Sequence, residues 1–385
     1  MPPIYQPQYR LLINGFDVSA TVAPSLIRIN LEDVFDTNLS VSKLELVFHA
    51  KYKRSLKWQY KDQLKLELWW STTPTLKLIS NIFYVDYITD VSEAGGNQTF
   101  MVSALEADPT LGYNYGSRQV IYTNKTVRAA LTEFRDLFGL TLTENITSSL
   151  IYMGTTRNYL TATTLDSVIA FDSYADMLKY VCKNYGYFGN VSGKALTITR
   201  VNTQYAGGVK FTPPPVERII DLNFRQTYNA LNKEYRARYV SDRTNKVISE
   251  FVLTPAMAGQ LNNKTKKLET DDAYFNINTA TERATGEMYQ DFYAGFEMRL
   301  QALGRHDYLA GDMFLLDASY GASEGYYRCT RVNHRVDGRG WITEISGFPP
   351  NIINSTSATF EVGYLGRTNN PPQTVNITQT IAGTV

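Results

Sequence analysis

The sequence is poor in the residues that make catalytic or metal sites, with two cysteines and three histidines in 385 residues. Cys182 and Cys329 are too few for a disulfide framework, and a zinc site of Cys and His ligands lacks the residues to form it. Charge of one sign is missing as well: 38 Lys and Arg face 37 Asp and Glu, so no global field draws the chain to nucleic acid or to an anionic membrane. The local run Lys51 to Trp58 (KYKRSLKW) reads as a solvated strand end. No window approaches the roughly 18 apolar residues of a membrane-spanning helix, and the amino terminus lacks the charged-then-apolar pattern of an export signal. The triplets at Asn124, Asn145, Asn190, Asn354 and Asn376 are then by-products of an Asn- and Thr-rich composition rather than glycan acceptors.

Motifs for chemistry are equally scarce. No phosphate-binding glycine loop, G-x-S-x-G elbow or H-E-x-x-H helix occurs. Asp271 and Asp272 are adjacent, which on a strand points them apart and on a loop leaves them solvated, so they read as surface rather than as an acid pair. Arg305, His306 and Asp307 read as a polar loop before a strand. In the run YYRCTRVNHRVDGRGW (Tyr326 to Trp341), strict alternation puts Arg328, Thr330 and His334 on one face and Cys329, Arg331 and Asn333 on the other. That spacing keeps Cys329 and His334 from forming a dyad, and the run reads as one arm of a hairpin turning at Asp-Gly. No catalytic, metal or cofactor site is expected.

Abundant instead are β-forming patterns and tyrosine, of which there are 27. Residues 10 to 105 alternate in short runs (SLIRINLEDV, KLELVFH, QLKLELWW, IFYVDYITDV, QTFMVSAL), the texture of a small barrel or sandwich. Helical spacing then predicts one helix within Asn124 to Leu140, closed by Gly139, and a second within Asp172 to Gly186, capped by Ser173. A hairpin follows with Ser192-Gly193 as its turn. The predicted fold is mainly β with α+β insertions: a first barrel over 1–106, an α/β module over 107–204, and a second barrel over 205–350 carrying a partly helical insertion around 242–300. An extended arm, 351–385, completes the chain. The barrels read as a duplication, with FYVDYITDVSEAGGNQTFMVSAL matching YRCTRVNHRVDGRGWITEISGF, LIRINLEDV matching RIIDLNFRQ, and SKLELVF matching KEYRARYV. Three such chains on a threefold axis would set six similar barrels in a ring.

These features together resemble a known family. The leading LxINGxDVS strand, the helix ending at Phe138-Gly139-Leu140, the helix-Tyr-Gly-hairpin unit ending in GKALTI, and the late run AGDMFLLD followed by GYYRCTRVNHRVD stand in the order found in the late-control D proteins of contractile-tailed phages. The chain is similar, more distantly, to the hub portion of type VI secretion spike proteins. The resemblance spans roughly residues 9–348. It implies a non-enzymatic, trimeric baseplate hub that joins the hexameric tail tube to a trimeric central spike, with no cofactor, no specific nucleic acid and no membrane insertion. It also implies other baseplate proteins and the tape-measure protein as partners, and a virion tail baseplate assembled in the host bacterial cytoplasm. The candidate contacts are Arg328, Thr330, Arg331, Asn333 and His334 on the last hairpin and Pro371, Pro372, Val375, Ile377 and Ile381 in the arm, which is expected to add as a strand to a neighbour. A carbohydrate- or receptor-binding virion protein is the alternative.

Overall fold

A computed structural model describes residues 6–52, 57–92, 98–108, 119–146, 149–156, 166–200, 219–227, 231–243, 247–255, 264–268, 273–305, 310–316, 325–349, 355–364 and 379–381. The first part of the chain alternates apolar and polar residues and forms strands β1 (Pro7–Ile13), β2 (Phe16–Asp17), β3 (Leu26–Val34), β4 (Lys43–His49), β5 (Gln63–Trp70), β6 (Lys77–Ile79), β7 (Phe83–Ser92) and β8 (Gln98–Leu105), with a one-turn helix α1 (Ser19–Val22). The inward side chains Ile29, Leu31, Leu44, Leu46, Leu64, Leu66, Phe83, Phe100 and Val102 make one core. Each is the apolar half of a period-two pattern, so burying it leaves the polar half outside.

The module between the two β regions contains β9 (Val120–Thr123), α2 (Val127–Phe138), β10 (Thr141–Glu144), β11 (Thr155–Thr156), β12 (Ser167–Phe171), α3 (Tyr174–Tyr185), β13 (Tyr187–Ser192) and β14 (Ala195–Arg200). Both predicted helices are present, and both ends are local chemistry. The Thr126 hydroxyl accepts from the Ala129 amide at 3.2 Å and the Ser173 hydroxyl from the Asp176 amide at 3.1 Å. Gly139 and Gly186 close them in the left-handed region, at φ 61° and 67°. The hairpin turn falls one residue later than expected, at Gly193-Lys194, because Ser192 still pairs with Ala195.

Beyond the module come β15 (Ile219–Gln226), β16 (Glu234–Asp242), β17 (Val247–Pro255), β18 (Thr265–Lys267), α4 (Ile277–Gly295), β19 (Phe296–Leu303), β20 (Met313–Leu316), β21 (Gly325–Asp337), β22 (Gly340–Phe348), β23 (Ser355–Tyr364) and β24 (Gln379–Ile381). The helical part of the insertion expected around 242–300 ends at Gly295, and FEMRLQAL, which follows it, forms β19.

The fold is mainly β, and its centre is one sheet rather than two closed barrels. Thirteen strands join in the path β15-β19-β22-β21-β3-β4-β8-β7-β5-β1-β2, with β20 and β6 beside β21 and β5. Within it the order β3-β4-β8-β7 is repeated as β15-β19-β22-β21. The likeness extends to single residues. The β7–β8 ladder shifts register between Val85 and Tyr87, and the β21–β22 ladder shifts between Cys329 and Arg331. The β3–β4 ladder shifts between Leu26 and Arg28, and β15–β19 between Ile219 and Asp221. Superposing these bulges aligns Leu44, Leu46, Val102 and Ala104 with Met298, Leu300, Ile345 and Gly347, and the cross-strand partners agree throughout. The true counterpart of SKLELVF is therefore β19. KEYRARYV, expected in that place, is β16 of a separate five-strand sheet, β18-β16-β17-β23-β24. Its strand pattern is genuine; what period two cannot tell is which sheet a strand joins. The whole unit from β16 to α4 is inserted between β15 and β19.

Helix α4 fastens that insertion to the module. Gly286 lies against the end of α3, where a Cβ would come within 2.5 Å of the Tyr185 carbonyl carbon and within 2.8 Å of its Cα. Beside it, buried Glu282 accepts from the Tyr187 hydroxyl at 2.5 Å and pairs with Arg200, while Arg283 donates to the Tyr274 hydroxyl at 3.0 Å and to the Asn184 carbonyl. Gly286→Ala adds one methyl against backbone that has no rotamer to yield, so it should destabilise the chain by about 1–3 kcal/mol. Glu282→Ala, which removes a buried carboxylate from the half-buried Arg200 guanidinium and from the Tyr187 hydroxyl, should cost about 3–5 kcal/mol. Denaturant midpoints of the two variants check both, and a Glu282→Ala variant as stable as the parent would show the pair to be replaceable.

Candidate assembly surface

One face of the long sheet is core and the other is polar. Along β3 and β4 the polar face carries Arg28, Asn30, Glu32, Lys43 and Glu45, and along β7 and β8 it carries Tyr87, Thr89 and Met101, with Ser103 on the same side but buried. The second repeat supplies Asp221, Asn223, Arg225, Glu297, Arg299, Gln301, Arg331, Asn333, Arg335, Glu344 and Ser346. Cations and carboxylates pair both along a strand and across the seam. Lys43 pairs with Glu45 at 2.5 Å, Arg299 with Glu297 at 2.8 Å, and Arg331 with Glu32 at 3.2 Å. A groove of about 570 Å³ opens on this face, lined from both repeats by Glu32, Asp221, Arg299, Arg331, Asn333 and Glu344. A surface so mixed has little net field.

The expected contact residues divide between the two faces, but not as strict alternation placed them. The bulge at Thr330 resets the pleat, so Cys329, Val332 and His334 all point inward while Arg331, Asn333 and Arg335 point out. Cys329 and His334 are thus on the same side, contrary to the expectation of opposite faces. Neither is exposed. His334 is 1% accessible, meets the Thr343 hydroxyl through Nδ1 at 3.0 Å and packs 5.9 Å from the Trp341 ring. Burial pushes the thiol of Cys329 well above its ordinary range, and pushes that of Cys182 up too. Arg328, on the opposite side from Cys329, is fully buried among the aromatic side chains where the module meets the sheet. Its guanidinium lies 5.2 Å from the centre of the Phe35 ring and donates to the Thr199 hydroxyl at 3.4 Å. Arg328 and His334 are structural, whereas Thr330, Arg331 and Asn333 line the groove.

Among the other candidates, Asp271, Asp272, His306, Asp307, Pro371, Pro372, Val375 and Ile377 lie outside the described residues, as does the middle of the Lys51 to Trp58 run, 53–56. In the arm, Ser355–Tyr364 pairs along β17 of its own chain, and Ile381 pairs with Ser355. The first half of the arm is thus used within the chain. Among the described residues, no three or more His, Cys, Asp and Glu side chains gather as a metal site would need.

Where the first repeat meets the module, two carboxyls are buried. Asp33 accepts from the Ser42 hydroxyl at 2.8 Å, and Glu106 accepts from the Asn81 amide at 2.5 Å. Burial raises both carboxyls above their usual range, against those hydrogen bonds.

The fold has solved counterparts. The chain is similar to the 43 kDa tail protein of prophage MuSo2 from Shewanella oneidensis, with a TM-score of 0.60 at 13% identity over 89% of this chain and 98% of that one. It has the fold of a phage tail protein. A tail protein from Neisseria meningitidis MC58 gives 0.56 at 10% identity, covering 89% of this chain and 97% of its own. The E. coli c3393 protein, a component of the type VI secretion system with structural similarity to the T4 bacteriophage tail proteins gp27 and gp5, gives 0.51 at 10% over 88% of this chain and 76% of that one. These neighbours agree with the resemblance drawn from the sequence. No protein-family model matches the sequence, and no curated protein sequence is similar to it.

The buried carboxyls give this tail-protein fold a pH dependence. Because both have raised values, the native state holds their protons more tightly than the unfolded chain does. Stability is then lost as pH rises from the ordinary values, 3.8 for Asp33 and 4.5 for Glu106, through the raised ones. Glu106→Gln removes one of these titrations. The variant should melt higher than the parent at pH 8, with the difference shrinking towards pH 4.5. Thermal melts across that range check it, and a constant or inverted difference would contradict the assignment.

Proposed function

We propose that this chain is a structural, non-enzymatic tail protein that works as a homotrimeric hub on the tail axis, joining the hexameric tail tube to the trimeric central spike. Its location is then the virion tail baseplate, assembled in the cytoplasm of the host bacterium, with the other baseplate proteins and the tape-measure protein as further neighbours. The observation that carries the reading is the duplication: two copies of one four-strand ladder, alike in order, register and bulges, joined edge to edge in one sheet. Three chains present six such lobes to a sixfold tube and three copies of everything else to a threefold spike. The tail-protein fold of the neighbours supports it, and so does the polar face, whose mixed charges suit the wall of a passage through which cargo must slide without being held.

The test is the solution mass of the purified full-length chain, followed by averaged particle images down the symmetry axis. A trimer with six similar lobes around an open channel is expected. A dimer, or a trimer with no channel, would overturn the hub. Glycan binding by such a particle would move the receptor-binding alternative forward.

A further inference from the structure

Among the described residues, the two repeats leave two strand edges uncovered, and each has a covered counterpart in the other repeat. Strand β21 is paired on both sides, by β22 and by β3. Its counterpart β7 is paired by β8 along its length, but on its outer side only by β5 at Phe83 and Tyr84 and by the backbone of Lys61 and Asp62 at Val85, and from Asp86 to Ser92 no described strand lies there. Strand β3 lies between β21 and β4, while its counterpart β15 ends the sheet and is paired by β19 alone among the described residues. The seam β21–β3 therefore joins the end of the second repeat to the start of the first. Among the described residues, the open edges are the end of the first and the start of the second.

The side chains on these edges are dressed for cover. Ile88 is 38% exposed, yet its counterpart Val332 is 0% exposed in the finished seam. Tyr87 is 43% exposed and Ile220, at the bulge of β15, 51%. Open hydrophobic strand edges invite pairing, and a sheet protein that keeps them in the monomer has a use for them.

We propose that β7 of one copy pairs antiparallel with β15 of a second copy, in the register that the internal seam already displays. This rests on the ring reading above and specifies how its copies join. The internal partners Arg331 with Val34, Asn333 with Glu32 and Val336 with Ile29 translate, position for position, into Tyr87 with Thr227, Thr89 with Arg225 and Ser92 with Leu222. On the polar face Arg225 then meets Tyr87 and Thr89, with no like charge opposite, in the place where Glu32 meets Arg331 at 3.2 Å inside the chain. On the core face Ile88 becomes buried as Val332 is. The two edges differ from each other, so the contact is head to tail and closes by rotation into a ring, continuing one sheet around it. A self-paired edge would stop at a dimer.

The experiment uses the full-length chain with two substitutions, Thr89→Cys and Arg225→Cys, oxidised in the folded state and run without reductant. Both parent cysteines are buried, so background crosslinking should be low. Opposite positions on an antiparallel pair bring Cβ atoms to about 4.5–5.5 Å, close enough for a disulfide after a small shift. The control, Thr89→Cys with Asp221→Cys, is four residues out of register, or about 13 Å along the strand. The in-register pair should give covalent dimers and trimers, and the control and each single variant none. In a second arm Ile88→Lys, at a position exposed in the lone chain, should melt as the parent does but associate at least about tenfold more weakly. A trimer by mass that crosslinks only in the control, or not at all, or that Ile88→Lys leaves intact, overturns this seam and leaves the ring standing. A chain that does not form a trimer overturns both.

Discussion

The antiparallel ladder between β21 and β3 is the contact on which the rest of the molecule depends. It joins strands separated by some three hundred residues of sequence, with Arg331 opposite Val34 and Val336 opposite Ile29, and turns two small ladders into one sheet. What packs over it is shared between the repeats. Trp341 belongs to the second repeat but sits in the core of the first, tilted against Trp70 at 5.4 Å. The Trp70 indole donates to the Gly304 carbonyl at 2.7 Å, and Gly304 has room for nothing larger, since a Cβ there would lie 2.0 Å from the Trp341 ring. Such mutual fit makes the angle between the repeats a property of the core and not of a flexible hinge.

Where the module meets this sheet, polar groups are buried deliberately. Arg328 is enclosed beside Phe35, and Arg200, Glu282 and Tyr187 form a closed set between β14, β13 and α4. Buried pairs of this kind add little net stability over apolar packing, but a misdocked module would leave each of them unmatched. Their effect is to restrict the number of ways in which module, insertion and sheet can be assembled. The close approach of Gly186 and Gly286 does the same by shape.

Much of this was legible in the sequence because it is local. Thr126, Ser173, Gly139 and Gly186 mark helix ends through hydrogen bonds and dihedral preferences that need no distant partner. The duplication was legible as a pattern, but its pairing was not: KEYRARYV and FEMRLQAL alternate equally well, and only the ladder shows that β19 matches β4 while β16 serves another sheet. The faces of the last hairpin were misread for the same reason. A single extra residue at Thr330 reverses every side chain beyond it, and composition carries no mark of a bulge. The same extra residue at Asp86 was the available signal, visible once YRCTRVNHRV is laid over FYVDYITDVS. The edge residues Tyr87, Ile88 and Ile220 could not be found from periodicity, since what distinguishes them from Arg331, Val332 and Ile27 is that no described strand lies beside them.

The differences between the repeats matter as much as their likeness. The first is backed by β5, β1 and β2, while the second splits β15 from β19 to admit β16, β17, β18 and α4, with the start of the arm added as β23. In the proposed ring the shared ladders would form the inner wall, and the inserted elements, present once per chain, would lie outside it. The symmetry of any surface then depends on how far it stands from that wall. A partner that touches only the ladders meets six near-equivalent lobes, and one that touches the insertions or the module meets three. Gene duplication followed by insertion into one copy is sufficient to build both symmetries into one chain, because the inserted residues enter between β15 and β19 without changing the register of the strands on either side.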